Sequence, residues 1–568
     1  GRAEGLAGPG LCWLTLDGKG QLWFAQGSRV GIVREGRFES LTDTGWAGVR
    51  IFPAREEGVW VCAGLKLFRT RDGKTLTPMA ELKLAPGQVE LMVSSLVEDR
   101  NGGLWLGTGS SGLFQLTDGE WHRVDGVHPN IIKVLEDSEG NLWVGTRGGG
   151  LNRLSPRALQ LLGPASGLPF AAVQSACEDK AGRLWVVGQN GGLAWRSNGV
   201  WHLTPNNATW RGGANCVANH HDGSLWVGTH DAGLFQLRDG GLSPWEFNGQ
   251  LPNRSVHALH VDARSNLWIA VSGFVVRCPV QTGQLQIFAM PPGASDVRAL
   301  AHSTDGDVWM GTTSDGLLLR IHADALINET TNVMGQARHI RCLQSTSDGS
   351  LWFGFAGQGL GRLKQGKFFQ YRKAQGLWDE YVSQILPDDR GGLWLAGNRG
   401  AFQLAMEELE AVATGQATRM KARVFGRGEG VPNLQASFGV SPVAARTADE
   451  RLFMPTLTGL LTVQPRFLRR NPLPPPVVLE RLAVNGRLVA AYDLPGSLVA
   501  PTETPPVSLR QPGLHLHLAP GVNRLEVEFT ALSLGSPENV SFRYQLEGLE
   551  QDWVEAGSTR VARYPRVP

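Results

Sequence analysis

The chain holds little with which to do covalent, metal or membrane chemistry. Its 568 residues include only six cysteines, Cys12, Cys62, Cys177, Cys216, Cys278 and Cys342, and no two form a Cys-x-x-Cys pair. Cys177, Cys216 and Cys342 precede a tryptophan by 8, 10 and 10 residues. Even offsets place them on one face of the same kind of strand, as small buried hydrophobes; a disulfide or a metal site is the alternative. Charge of one sign is also missing. The formal net charge is +2 and no long basic or acidic block occurs, so a phosphate-neutralising, nucleic-acid-binding surface is not expected. No stretch approaches the roughly 18 apolar residues of a membrane span, and no secretory leader is legible. Tyrosine is scarce: of five, only Tyr371 and Tyr381 precede residue 465.

Glycine and tryptophan are abundant, at 73 and 19 residues. Glycine at that level without a collagen period implies many tight turns. Ten tryptophans recur in near-identical settings: Trp23, Trp60, Trp105, Trp143, Trp185, Trp226, Trp268, Trp309, Trp352 and Trp394, spaced 37 to 45 residues apart. The frame is Asp-x-x-Gly-x-Leu-Trp-x-Gly-Thr, cleanest from Asp137 to Thr146. An eleventh, degenerate unit has Phe453 in the aromatic place, closed by Gly459 and Leu460. A fixed period of this length means stacked units, each too small to bury its own apolar face.

Within one unit the apolar spacing is two, not 3.6. Ile131 to Leu135, Leu142 to Val144 and Leu151 to Leu154 read as strands, with turns at Asp137-Ser-Glu-Gly140 and Arg147-Gly-Gly-Gly150. The turn carboxylate can accept backbone N–H groups, and glycine tolerates positive φ. Three or four short antiparallel strands per unit of about 40 residues describe a propeller blade and exclude helical repeats. The recurrent indole is expected to fill the wedge between neighbouring blades. Asp holds the turn at 17, 99, 137, 179, 262 and 388, and Ser303, Thr346, His220 and Ala54 replace it elsewhere. Alanine cannot cap a turn, so the unit around Trp60 is expected to be the weakest.

After Asn471-Pro-Leu-Pro-Pro-Pro476, a stiff linker, a different domain begins. Arg524 to Phe529 alternates apolar and polar, and Phe542 to Gly548, Asp552 to Val554, Arg560 and Tyr564 follow.

The ten repeats in register resemble the two-component regulator propeller family over about residues 1 to 465. Gly167-Leu-Pro169, Gly376-Leu377-Trp378 ahead of Val382, and a short helix expected over Met406 to Gly415 are similar to that family's inter-blade features. The tail resembles the triple-tyrosine domain that follows such propellers, with Tyr544 and Tyr564 matching two of its tyrosines and the third falling past Pro568. The fold expected is therefore all-β: tandem β-propellers of about eleven visible blades, then an immunoglobulin-like β-sandwich. Residues 1–160 would be blades of a first, incomplete propeller and 161–465 a seven-bladed ring. Residues 466–476 would be the linker and 477–568 the sandwich, cut before its last strand.

The resemblance implies a ligand-binding sensor. It would lie on the periplasmic or extracellular side of a bacterial inner membrane and belong to a two-component or hybrid two-component protein. It would recognise an oligosaccharide or another small molecule and signal through the sandwich to a membrane-spanning output module. It implies a homodimer in the full-length protein, a membrane contact only through segments outside this sequence, no cofactor, no metal and no catalysis in this part. Loop aromatics beside charges suit sugar rings, which singles out Trp210-Arg211 and Trp378-Asp379-Glu380; packing against a neighbouring blade is the commoner use of such residues. Trp121, Trp195 and Trp201 sit in strand-like settings and read as structural. His220, His221 and His230, near Asp222 and Asp231, lack the convergent spacing of a metal site and read as a solvated turn.

The rival class is a propeller enzyme. In sialidase-type hydrolases a turn aspartate precedes tryptophan by five residues; here the gap is six, or four at Asp348. Such enzymes also use a tyrosine nucleophile, and tyrosine is scarce here. Streptogramin lyases have similar blades but need a catalytic histidine and bound magnesium. A purely structural or adhesive propeller is the third reading.

Overall fold

The fold was obtained as a computed structural model. It describes all residues except 1–4, 7–10, 84–91, 155–157, 205–212, 239–240, 280–283, 427–428, 433, 469–473, 493–505, 512, 519–523, 536 and 568. Strand accounts for 50% of it and helix for 6%, an all-β protein built from four-stranded antiparallel sheets. Two compact units are present: Gly1–Pro156 with Ser533–Gly535, and Arg157–Leu532 with Ser536–Pro568.

The first unit contains four successive sheets, which we number blades 1 to 4. The first three have four strands and blade 4 has three. In the second unit, six four-stranded meanders follow one another as blades 5 to 10, from Val173–Glu178 to Arg423–Phe425. Blade 11 is assembled differently. Strands Ala445–Arg446, Leu452–Thr456 and Gly459–Val463 are completed by Leu159–Leu162, with Leu159 opposite Val463 and Leu162 opposite Leu460. A strand from the start of the unit thus closes a seven-bladed ring. The boundary expected at residue 160 cuts this strand, which belongs wholly to the second unit, because its partner lies some 300 residues later and no local pattern marks it.

Seven apolar clusters hold the ring, one at each interface between neighbouring blades. Trp185, Trp226, Trp268, Trp309, Trp352, Trp394 and Phe453 each sit in the cluster shared with the next blade. All seven are at most 5% exposed, so the indole is an interface residue rather than a core of its own blade. Each such ring removes roughly 150–250 Å² from water. In the first unit Trp23 and Trp60 are buried likewise, whereas Trp105 and Trp143 are half-buried.

The turn aspartate works harder than a backbone cap. Asp137 Oδ1 accepts from the amides of Glu139 and Asn141 at 2.9 and 2.8 Å, and Oδ2 accepts from Trp143 Nε1 at 2.8 Å. Gly140 supplies the left-handed turn residue at φ 84°. The same carboxylate–indole bond recurs from Asp17, Asp99, Asp179, Asp262 and Asp388, at 2.7 to 2.9 Å. Ser303 and Thr346 substitute with hydroxyls at 3.2 and 3.1 Å. This explains the fixed spacing of six: one side chain ties turn, second strand and indole together. At Trp60, where Ala54 holds the turn, Glu98 of the next blade accepts the indole N–H at 2.9 Å and Asp17 of the preceding blade accepts the Gly58 amide at 2.8 Å. The unit expected to be weakest is thus supplied with carboxylates from both sides.

Helix Met406–Ala413 buries Leu409 and Val412 against blades 9 and 10, and Tyr371 Oη donates to Leu409 O at 2.9 Å. The C-terminal region forms a five-stranded sheet facing a two-stranded one, with Leu525, Phe529, Phe542, Ala562 and Tyr564 between them. Tyr544 and Tyr564 meet edge to face, centroids 6.0 Å apart. Asn539 fastens this sandwich to blade 10: it accepts from Val424 N at 2.8 Å and donates to Val424 O at 3.0 Å. All six cysteines are free thiols. Burial pushes the Cys216 and Cys342 thiols up to about 12, which makes them inert packing groups.

Candidate ligand site in the channel of the second unit

The innermost strands of blades 5 to 10 share one irregularity. Each slips register after its first residue: Val173/Ser175, Ala214/Cys216, Val256/Ala258, Val297/Ala299, Ile340/Cys342 and Val382/Gln384. A bulge leaves one residue unpaired and re-aims its side chain. The six residues so placed are Gln174, Asn215, His257, Arg298, Arg341 and Ser383, and every one is polar.

These side chains link blade to blade. Gln174 Nε2 donates to Asn215 O, and Asn215 Nδ2 to Val256 O, each at 2.8 Å. His257 Nε2 lies 2.8 Å from Ser272 Oγ and 3.0 Å from the Asp296 carboxylate, which also faces Arg298 Nη2 at 3.5 Å. Arg341 Nη1 donates to Ser383 Oγ at 2.9 Å and to Asn398 Oδ1 at 3.1 Å. In the first unit the equivalent slips fall at Ser94 and Ile132, neither charged.

Below this rim lies a cavity of about 170 Å³, lined among others by His260, Arg298, His302, Arg341, Gln344 and Gln384. One wall is the segment leading into blade 11. It is held by Ala176 N to Val443 O at 3.0 Å, Leu259 N to Ser441 O at 2.8 Å and Arg298 Nη1 to Gly439 O at 3.1 Å. His260 Nε2 and His302 Nδ1 are 2.8 Å apart, so one imidazole donates and the other accepts. Burial, then the neighbouring His302, pushes His260 down to about 3; burial and Arg298 push His257 down to about 4. Near neutral pH both are uncharged hydrogen-bonding groups rather than proton shuttles. No cluster of metal-ligating side chains occurs among the described residues.

The structure distributes the sequence-predicted residues unevenly. Trp210 and Arg211 lie outside the described residues. Trp378 is half-buried, with the Arg399 guanidinium 4.1 Å from its ring centroid and its carbonyl accepting from Arg399 Nη1 at 3.1 Å. Asp379 is 3% exposed and spends both oxygens on its own chain, accepting from Tyr381 N at 3.0 Å and Arg399 N at 2.8 Å. Glu380 pairs with Arg372 at 3.1 Å. This loop delivers Tyr381 to the Arg341 guanidinium, 5.1 Å from the ring centroid. His220 is buried, not solvated: its Nε2 lies 3.0 Å from Ser265 O, while His221 Nε2 lies 3.1 Å from Asp262 O. With His220 turned to the next blade, the buried Trp226 Nε1 has no acceptor among the described residues. Sequence reading missed Arg298, Arg341 and Gln384. For the two arginines the signal was present, as a polar residue at the second position of six consecutive inner strands; Gln384, third in its strand, lay outside it.

The two component regulator propeller family matches residues 87–110 and 126–148. No curated protein matches this sequence. Among solved structures, the extracellular domain assigned to a hybrid two component system, BT3049, from B. thetaiotaomicron is 18% identical; the match covers 97% of this chain and 73% of that one, with a TM-score of 0.64. The extracellular domain assigned to a one component system, BT4673, of the same organism is 15% identical over 100% of this chain and 77% of that one, with a TM-score of 0.42. A streptogramin B lyase is 12% identical over 54% of this chain and 96% of its own, with a TM-score of 0.41. The BT3049 likeness establishes the shared fold.

Proposed function

We propose that this chain is the ligand-binding, extracytoplasmic part of a bacterial two-component or hybrid two-component sensor, and that the second unit's channel receives the ligand, an oligosaccharide or other small molecule. The observation that carries this reading is the set of six polar bulge residues on consecutive inner strands, three of which, Arg298, Arg341 and Ser383, line a cavity in a propeller whose interfaces are otherwise apolar. Loops and rims on a rigid scaffold are where such folds place recognition. The family match supports the signalling role. No helix among the described residues is long and apolar enough to cross a membrane, and in this reading the membrane is reached through segments outside this sequence.

The reading extends to transmission. The terminal sandwich is a triple-tyrosine domain, and the paired bonds between Asn539 and Val424 give blade 10 a direct hold on it, within a homodimer. This part binds without chemistry and without a cofactor: the channel histidines are held neutral by burial, and the buried thiols are raised. Blades 1 to 4 belong to a larger propeller, because the outer blades expose Leu14, Leu16, Leu135 and Leu151, surface that a further blade would cover. A thermal-shift screen of neutral and acidic oligosaccharides tests the function. A ligand should raise the melting temperature by mass action on the folded state; a broad library with no stabilising member contradicts the reading.

A further inference from the structure

Arg341 is the least expected residue in the channel. It is 9% exposed, yet no carboxylate lies within salt-bridge distance of it among the described residues. Burying a cation without a counter-charge is costly unless something else uses it. Asp379 acts on it electrostatically from beyond salt-bridge distance, and the neighbouring carboxylates are engaged elsewhere. Asp296 is shared between His257 and Arg298, Asp379 is taken by two backbone amides, and Glu380 is paired with Arg372. Arg399, next along, adds a further positive charge.

The geometry of that cation restricts what can meet it. The guanidinium carbon lies over two aromatic rings, 4.0 Å from the Phe438 centroid and 5.1 Å from that of Tyr381, and both rings are partly exposed. Its N–H groups are left to define what it can bind. Nη1 is spent on Ser383 and Asn398; Nε and Nη2 have no partner among the described residues. A planar oxyanion matches that edge as two parallel charge-assisted bonds. The same cavity holds an orphan of the opposite kind. Gln384 Nε2 donates to Ser437 O at 2.9 Å and Pro455 O at 2.7 Å, which fixes the amide orientation and leaves Oε1 buried with no donor among the described residues.

We infer that the channel of the second unit is a binding site for a cyclic hydroxycarboxylate, with Arg341 clasping the carboxylate and Gln384 accepting a hydroxyl. The inference rests on the sensor reading and names the ligand class of that site. Tyr381 and Phe438 border the entry with apolar ring faces suited to the C–H face of a sugar-like ring. Arg298 is paired with Asp296, which leaves Arg341 as the cation that meets the carboxylate.

The test is titration calorimetry on the whole chain with glucuronate, glucose, benzoate and inorganic phosphate. Glucuronate should bind at least about tenfold more tightly than glucose, the step one good charge-assisted pair supplies, and more tightly than benzoate or phosphate. Arg341→Gln should remove that preference, and Arg341→Lys, which keeps the interior charge but not the fork, should weaken glucuronate by about fivefold or more. Glucose binding as tightly as glucuronate, phosphate binding more tightly than either, or glucuronate affinity unchanged in Arg341→Lys would each overturn the site. A ligand from the wider screen that stabilises wild type and Arg341→Lys equally would sink this inference and leave the sensor reading standing.

Discussion

The two units of this protein are written in the same repeat and end differently. In blades 5 to 11 the strand Leu159–Leu162 returns to complete the last sheet, and every interface becomes a buried apolar wedge. Blades 1 to 4 have three such wedges, and the strands at either end of the run show leucines to solvent. The bulges follow the same division: all six in the closed ring are polar and two are arginines, whereas those of the first unit fall at Ser94 and Ile132. A repeat of about 40 residues therefore specifies a blade. Closure and a functional channel are specified by residues far apart in sequence.

That contrast can be broken most forcefully at the closing strand. Leu162→Ala, at 1% exposure, should cost about 3 kcal/mol, whereas Leu151→Ala, at 67% exposure in blade 4, should stay within about 0.5 kcal/mol. Chemical denaturation of both variants checks the pair; equal effects would mean that closure adds nothing. Next in size is the turn carboxylate. Asp262→Ala removes the acceptor of two amides and of Trp268 Nε1 and should cost about 2–3 kcal/mol. Thr346→Ala, which loses a hydroxyl contact, should cost about 1 kcal/mol.

Between those two falls the borrowed carboxylate of blade 2. Glu98→Ala strips Trp60 Nε1 of its acceptor and should cost about 1–2 kcal/mol, with loss of protection at Val59–Ala63 in hydrogen exchange. An unchanged melting curve would return that blade to the weak rank its Ala54 suggests. A further contrast lies in pH dependence. His260 is held near 3 in the folded state, below about 6.5 when unfolded. The unfolded chain then binds more protons between those values, so this stability is complete above about pH 6.5 and is lost as pH falls towards 3. His260→Gln should flatten the slope of stability between pH 7 and 5, measured by denaturation at both. The turn aspartates act lower. Burial alone would raise Asp262, but bonds from Asn266, Trp268 and the backbone outweigh it and hold it below the usual range. Its stabilisation is present above about pH 4 and is lost as pH falls through the depressed value.

The sequence made the wheel visible because its signals are local and repeated. The indole period, the glycine turns and the alternation of two gave the all-β propeller and the blade order, and the family resemblance gave the helix before the last blade. Leu159–Leu162 was misplaced because a strand of four residues paired across some 300 others leaves no periodic trace. Glu98 as the partner of Trp60 was illegible for a related reason, since a carboxylate one blade away substitutes for a missing neighbour. At the site, Trp378, Asp379 and Glu380 stood out as a loop aromatic beside charges, yet the two carboxylates cap and pair within their own segment. Arg341 was hidden because inside a strand pattern a single polar residue reads as an outward-facing one, and only the bulge turns it inward.

Hydrogen exchange of the whole chain with and without a stabilising ligand tests the central claim most directly. The account predicts added protection at Val297–His302 and Ile340–Ser345 and in residues 437–444, with none in blades 1 to 4. Protection confined to blades 1 to 4 would contradict it.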